Sequence, residues 1–366
     1  MPTSTAREKK KIAELEPVTD PEEAAEEAGL RYVSDDQPGY TRKKKGNGFE
    51  YFDTAGKRIT DEKRVLRLNR LAIPPAYDDV WICPNANGHL QATGRDARGR
   101  KQYRYHEKWR EARDETKYDR MVIFGAALPK IRKRVAMDLA RPGLPKEKVL
   151  ATIVSIMERT FIRVGNEEYA RENNSYGLTT MRNRHVAVNG TKVRFKFRGK
   201  SGVEHSVQIA DRRLSRIVKK VQDLPGQELF GYLDAEGEVG QIKSQDVNDY
   251  LQEITGENFT AKDFRTWAGT VLAAVALDAV EPSKTKKETK ANVKNAIAAV
   301  AKILGNTPTV CRKCYVHPAV LENYLSGEMI DGLRRKTEEA LARNLPDLRS
   351  VEAAVMTFLQ ARLTTA

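Results

Sequence analysis

Two arginines and a lysine fall where a chain could bring charge to a phosphate. Arg163 lies in Phe-Ile-Arg-Val-Gly-Asn-Glu-Glu-Tyr169, at the predicted end of a helix. Arg265 lies in Thr-Ala-Lys-Asp-Phe-Arg-Thr-Trp267, near a predicted helix start that Thr260 and Asp263 can cap. Lys200 occupies the tight turn Gly-Lys-Ser-Gly202 between two predicted strands, where a side chain can reach outward. Arginine holds two phosphate oxygens in a planar fork and stays charged. Lysine can protonate a leaving oxygen when neighbouring cations draw its pKa toward neutrality. These are two of the three needs of metal-free transfer at phosphorus, the third being a nucleophile. Taken singly, each reads more readily as a solvated surface cation.

Other chemistries find little support. The chain has no Gly-x-x-x-x-Gly-Lys-Ser/Thr loop for a nucleoside triphosphate, no His-Glu-x-x-His and no Asp-rich metal loop. Its five histidines, His89, His106, His185, His205 and His317, show no metal-ligand spacing. Cys311 and Cys314 form one C-x-x-C pair, but a second pair to complete a zinc site is missing and Cys83 stands apart. No metal or cofactor is expected. A net charge of +14 over 366 residues favours a polyanionic partner. No apolar run approaches the ~20 residues of a membrane span. The Lys- and Glu-rich N-terminus lacks the apolar core of a secretory signal, so an intracellular protein is expected.

The elements that must position these groups divide the chain. Residues 1–25 read as a flexible charged tail. Residues 26–113 read as a small β-rich domain: strands over 40–44 and 49–52 flank Gly46-Asn47-Gly48, a helix covers 65–71, and short strands follow at 80–83, 89–93 and 102–105. A basic loop spans 94–101, and the domain is expected to end near Arg113, inside a charged helix. Residues 114–366 read as mostly helical, with helices over 128–139, 146–159, 211–224, 244–254, 260–280, 287–304, 332–342 and 348–363. They enclose one strand block. Asn189-Gly190 joins 185–188 to 191–198, and a second turn leads to 203–210. In the middle strand Val193, Phe195 and Phe197 alternate with Lys192, Arg194, Lys196 and Arg198, which places four cations on one outer face. The fold class is α+β: a small β-rich domain and a larger helical one with a three-stranded hairpin element.

The string Leu304-Gly-Asn-Thr-Pro-Thr-Val-Cys-Arg-Lys-Cys-Tyr315-Val-His-Pro resembles the nucleophile segment of the poxvirus and bacterial type IB DNA topoisomerases. Arg163-Val-Gly with Tyr169 and Tyr176-Gly-Leu-Thr-Thr resembles the first-arginine block of that family. Phe197-Arg-Gly-Lys200 resembles its hairpin lysine, and Lys262-Asp-Phe-Arg265 its second-arginine block. Ile73-Pro-Pro-Ala-Tyr and Gly99-Arg-Lys-Gln-Tyr-Arg-Tyr105 resemble its N-terminal DNA-clamp domain. The resemblance runs from about Leu30 to about Leu325.

It implies a C-shaped clamp on double-stranded DNA in which Tyr315 forms a 3′-phosphotyrosine. Arg163 and Arg265 would hold the non-bridging oxygens, and Lys200 would protonate the leaving 5′ oxygen. Gln102, Tyr103, Tyr105, Arg100, Lys101, Tyr169, Arg194, Lys196 and Arg198 would touch DNA. Many members carry His nine residues before the tyrosine. Here that residue is Asn306, which can donate a hydrogen bond but no charge, and which suits a bacterial-type member. Cys311 and Cys314 would be small packing residues beside the nucleophile. The implied protein is a monomer of the cytoplasm, associated with the nucleoid, that relaxes DNA without ATP.

Two other readings remain. A tyrosine recombinase shares the catalytic groups but places His where Lys262 stands and has a helical N-terminal domain. A non-catalytic DNA-binding protein would keep the scaffold without the chemistry.

Overall fold

A computed structural model describes residues 21–46, 48–280, 285–327 and 350–363. The chain separates into two compact units, one up to Arg120 and one from Met121. The predicted helix over 332–342, residues 1–20 and Asn47 lie outside the described residues.

In the first unit, α1 (Pro21–Glu27) precedes a five-stranded antiparallel sheet. Ala25 is buried with Leu30 and Trp109, so the charged segment read as a tail to residue 25 is helical from Pro21 onward. The strands are β1 (Tyr40–Lys45), β2 (Gly48–Phe52), β3 (Asp78–Ile82), β4 (Leu90–Arg95) and β5 (Lys101–Tyr105), in the order β2-β1-β3-β4-β5. Their inward residues Tyr51, Val80, Ile82 and Ala92 close on Leu68 of α2 (Glu62–Arg70). Asp61 starts α2 by accepting the backbone N–H of Arg64 at 2.8 Å.

The basic loop of the sequence tightens to a turn between β4 and β5. The Asp96 carboxylate accepts the N–H groups of Arg98 and Arg100 at 2.9 and 3.1 Å. That turn chemistry pairs Arg95 with Lys101 across the hairpin.

One helix is far longer than its periodicity suggests. α3 (Glu107–Leu139) runs for 33 residues and joins the charged helix expected around Arg113 to the periodic stretch 128–139. Pro129 lies inside it and reads as a helix start. The helix continues through it, at the loss of one backbone hydrogen bond.

In the second unit, α4 (Lys146–Thr160) is buried on nearly every side, from Val149 through Met157. α5 (Glu167–Asn173) follows. The three-stranded antiparallel sheet is β6 (Val186–Asn189), β7 (Lys192–Arg198) and β8 (Glu204–Ala210), in that order. On β7 the apolar residues are buried and Lys192, Arg194, Lys196 and Arg198 are exposed, as the alternation predicts. The helices α6 (Arg212–Gln222) and α7 (Ser244–Thr255) flank a two-stranded hairpin, β9 (Gly231–Leu233) and β10 (Val239–Gln241), that the sequence reading lacks. Helices α8 (Ala261–Asp278), α9 (Lys286–Leu304), α10 (Pro308–Tyr315) and α11 (Pro318–Ser326) follow, and α12 (Ser350–Leu363) ends the described residues. The result is a mixed α+β fold with small sheets and a larger helical region.

Candidate active site

Arg163 is set by the way α4 ends. The helix stops at Thr160, and Phe161 takes a left-handed conformation, φ 57°, with its N–H on the Met157 carbonyl at 2.9 Å. Arg163 therefore lies on the irregular segment after the helix, not in its last turn. Backbone hydrogen bonds from Leu178 to the Arg163 carbonyl, 2.9 Å, and from Thr179 to the Val164 carbonyl, 2.6 Å, fix that segment. The guanidinium donates to the Asn306 side-chain oxygen and, at 3.4 Å, to the Gly305 carbonyl.

Arg265 sits one turn into α8. The reciprocal cap expected there is present in altered form: both the N–H and the hydroxyl of Thr260 donate to Asp263 Oδ2, at 2.7 and 3.0 Å. Arg265 is 4 % exposed. It donates to the carbonyls of Phe161 and of Leu304, the latter at 2.6 Å. Its Nε is buried without an acceptor among the described residues. Burial first, and the Arg163 charge second, push its pKa down to about 10, so it remains cationic at neutral pH.

Lys200 is exposed in the single turn of 3₁₀ helix that joins β7 to β8. Backbone hydrogen bonds from Gly199 to Val203, 2.8 Å, and from Gly202 to Gly199, 3.0 Å, close that turn. Asn306 follows the left-handed Gly305 that ends α9, its N–H on the Ala301 carbonyl at 2.9 Å. Its Nδ2 is buried without an acceptor among the described residues.

Tyr315 is the last residue of α10 and is half-buried. Its ring centroid lies 5.2 Å from the Arg265 guanidinium carbon. Its carbonyl accepts the Thr270 hydroxyl at 3.3 Å, and the same hydroxyl accepts the His317 N–H at 3.0 Å. α8 approaches this point through Gly269, where a Cβ would stand 2.4 Å from the Tyr315 carbonyl oxygen.

Arg163, Lys200, Arg265 and Tyr315 line one cavity of about 370 Å³, together with Tyr176 and Lys262. In the sequence, Lys262 has no role of its own beyond opening the second-arginine block and separating two families; its place in the cavity follows from its spacing, one helical turn before Arg265. The side chain of Tyr169 lies outside the described residues. Cys311 is fully buried on α10, and burial pushes its thiol up to about 11. Among the described residues no group of three or more His, Cys, Asp or Glu side chains could hold a metal ion, and no helix is long and apolar enough to cross a membrane.

Residues 106–360 match the family model described as eukaryotic DNA topoisomerase I, catalytic core. The chain belongs to the type IB DNA topoisomerases. The activity of the family is relaxation of DNA through exchange of a phosphodiester with a tyrosine. Residues 48–96 of this topoisomerase also match the model of the bacterial DNA topoisomerase IB N-terminal domain. It is 33 % identical over 293 residues to DNA topoisomerase 1B of Acanthamoeba polyphaga mimivirus, covering 78 % of this chain and 87 % of that one. It is 23 % identical to DNA topoisomerase 1B of Vaccinia virus strain Copenhagen over 71 % of this chain and 80 % of that one. To DNA topoisomerase 1 of Rabbit fibroma virus it is 25 % identical, with 76 % and 88 % covered.

In the first unit of the topoisomerase, the candidate DNA contacts cluster on β5 and the turn before it. Three of them are engaged within the protein. Arg100 pairs with Asp96 at 2.7 Å, Lys101 pairs with Asp35 at 2.6 Å, and the Gln102 amide donates to Asp96 at 3.0 Å. The Arg100 hydrogen bond is the main reason the Asp96 carboxyl is held at about 2. Tyr103 and Tyr105 stack in parallel, 6.0 Å between centroids and 9° between planes, and both are exposed.

Proposed function

We propose that Tyr315 is the nucleophile of this topoisomerase. The observation that carries the reading is the single cavity lined by Tyr315, Arg163, Arg265 and Lys200. The Tyr315 hydroxyl gives its proton to solvent and its oxygen bonds to a backbone phosphorus. The bond from phosphorus to the 5′ oxygen breaks, and Lys200 protonates that oxygen as it leaves. Arg163 and Arg265 face the charge that builds on the non-bridging oxygens, where a buried, pre-aimed cation acts most strongly. The Asn306 Nδ2 group supplies a neutral donor to the same oxygens. The 5′-hydroxyl then attacks the phosphotyrosine and restores the strand, so every bond broken is matched by one of the same kind and no ATP is consumed. Between the two steps the cut strand swivels.

The wider reading is a C-shaped clamp that holds double-stranded DNA as a monomer. Gln102, Tyr103, Tyr105, Arg100 and Lys101 contact it from the first unit. Tyr169, Arg194, Lys196 and Arg198 contact it from the second. The exposed cationic face of β7 supports this by its chemistry. Asn306 and the match of residues 48–96 support a bacterial-type enzyme, working in the cytoplasm on the nucleoid.

The deciding experiment is relaxation of a supercoiled plasmid with chelator and without ATP, alongside denaturant trapping of protein on DNA. Tyr315→Phe keeps most of the affinity for DNA and loses both relaxation and the trapped adduct. An adduct that persists in Tyr315→Phe would falsify the assignment. Strand exchange between paired sites without relaxation would favour a recombinase.

A further inference from the structure

His205 has no part in the steps above, yet it lies between two groups that do. It pairs with Phe197 across β7 and β8, and the two rings stack 5.1 Å apart at 12°. Two glycine backbones close on the same imidazole. A Cβ on Gly199 would stand 2.6 Å from His205 Cδ2 and 2.7 Å from Nε2. A Cβ on Gly305 would stand 2.5 Å from Cε1. Real side chains do not approach so closely, so both positions must lack one for the ring to fit.

The two glycines sit at telling places. Gly199 directly precedes Lys200. Gly305 directly precedes Asn306, and its carbonyl accepts from Arg163. One ring therefore spaces the lysine turn from the segment that anchors Arg163 and carries Asn306. Burial, reinforced by the charges of Arg163 and Arg265, lowers the His205 pKa and keeps the ring neutral, so it adds no third charge beside the two guanidinium groups.

We infer that His205 is a positioning residue, which sets the Lys200 turn at the distance from Arg163 and Asn306 that lets all three meet one phosphate. This rests on the reading of Lys200 as the proton donor. A ring wedged between two backbones holds that distance without bonding either, because interiors resist compression and a void is costly. Displacing a proton donor by about 1 Å can cost on the order of 10²-fold in rate.

The test is single-turnover cleavage of duplex DNA carrying either an ordinary 5′ oxygen or a bridging 5′ sulfur at the scissile phosphate. A sulfur leaving group needs little help from an acid. Wild type, Lys200→Ala, His205→Ala and Gly199→Ala are compared, with thermal melting and noncovalent DNA binding measured for each. Gly199 has an extended backbone, φ −96° and ψ −166°, open to alanine, so that variant pushes the ring without straining the chain and serves if His205→Ala does not fold. The expected result is that His205→Ala and Gly199→Ala slow the oxygen substrate on the order of 10²-fold and the sulfur substrate far less, with binding kept. Equal slowing on both substrates, or no slowing, overturns the inference while Lys200→Ala still shows the sulfur rescue. Loss of that rescue in Lys200→Ala itself overturns the proton-donor reading and the inference with it.

Discussion

The Arg163 guanidinium donates to the side-chain oxygen of Asn306, a residue 143 positions further along the chain. A guanidinium can only donate, so the contact fixes the amide: its oxygen faces Arg163 and its Nδ2 faces away. Asn306 thus has two duties. It holds Arg163 with one end and keeps a buried donor free of protein acceptors, among the described residues, with the other.

Asn306→Ala removes both duties and should slow cleavage on the order of 10²-fold. Asn306→His separates them. A neutral imidazole still accepts from Arg163, and an imidazolium does not. Cleavage by Asn306→His should stay within about tenfold of wild type near pH 8 and fall away below about 6.5, where the ring protonates. The check is the pH profile of both proteins under single-turnover conditions. Parallel profiles would show that the acceptor is unimportant.

Gly269 gives a second prediction because helix propensity and geometry oppose each other there. Alanine favours an internal helix position by about 1 kcal/mol over glycine. A methyl at Gly269, however, would meet the Tyr315 carbonyl oxygen at 2.4 Å and its Cβ at 2.9 Å, so the end of α10 must move. Gly269→Ala should keep DNA affinity and lose about 10²-fold or more in cleavage, the cost of a misplaced reacting group. Unchanged cleavage would mean that α10 gives way freely.

Lys101 offers a measurement on DNA binding. Its ammonium is paired with Asp35, which also accepts the Thr93 hydroxyl at 2.9 Å. Asp35→Asn frees the charge while keeping the volume. If Lys101 meets a phosphate, duplex affinity should rise and the slope of log K against log salt should steepen by up to about 0.9, one further counterion released. An unchanged slope removes Lys101 from the contact surface.

Asp138 predicts how the scaffold responds to acid. Its carboxylate is 2 % exposed and accepts from Arg141 at 2.7 Å, from Tyr250 at 2.8 Å and from Arg134 at 2.8 Å. Burial alone would raise its pKa, but these hydrogen bonds outweigh it and hold the group below its ordinary value of 3.8. Its stabilising contribution is therefore full above pH 3.8 and lost as pH falls through the lower folded value. Asp138→Asn should cost about 2 kcal/mol at neutral pH, less than the ~3–5 of a fully buried pair because both arginines are partly exposed. It should also flatten the acid limb of melting temperature against pH. A limb as steep as that of wild type would show that other carboxylates govern it.

Strongly periodic elements were legible in the sequence, and the reasons are visible in the structure. β7 obeys its alternation because one face packs on the core while the other meets solvent. α4 and α9 carry apolar faces long enough to declare themselves. The β9–β10 hairpin was not legible, since strands of three residues carry too little alternation. α3 was legible in two pieces, a charged helix around Arg113 and the periodic stretch 128–139, and Pro129 hid their continuity. At the site, the order of the motifs marked Arg163, Lys200, Arg265 and Tyr315, but their convergence depends on details that motifs do not carry. The left-handed Phe161 that redirects Arg163 is an aromatic residue in a conformation that sequence reading assigns to glycine. His205 left no signal beyond being one histidine on an alternating strand.

The unmatched donors in the second unit bear on inhibition. The cavity is lined by the donor side chains of Arg163, Lys200, Lys262 and Arg265, and Arg265 Nε has no acceptor among the described residues. A ligand that enters with hydroxyls or amines of its own brings donors to a place already rich in them. Each N–H left unpaired costs about 1–3 kcal/mol. Compact anions with several acceptor oxygens and no donors, such as vanadates or sulfonates, are the chemical class this pocket should select from a screen.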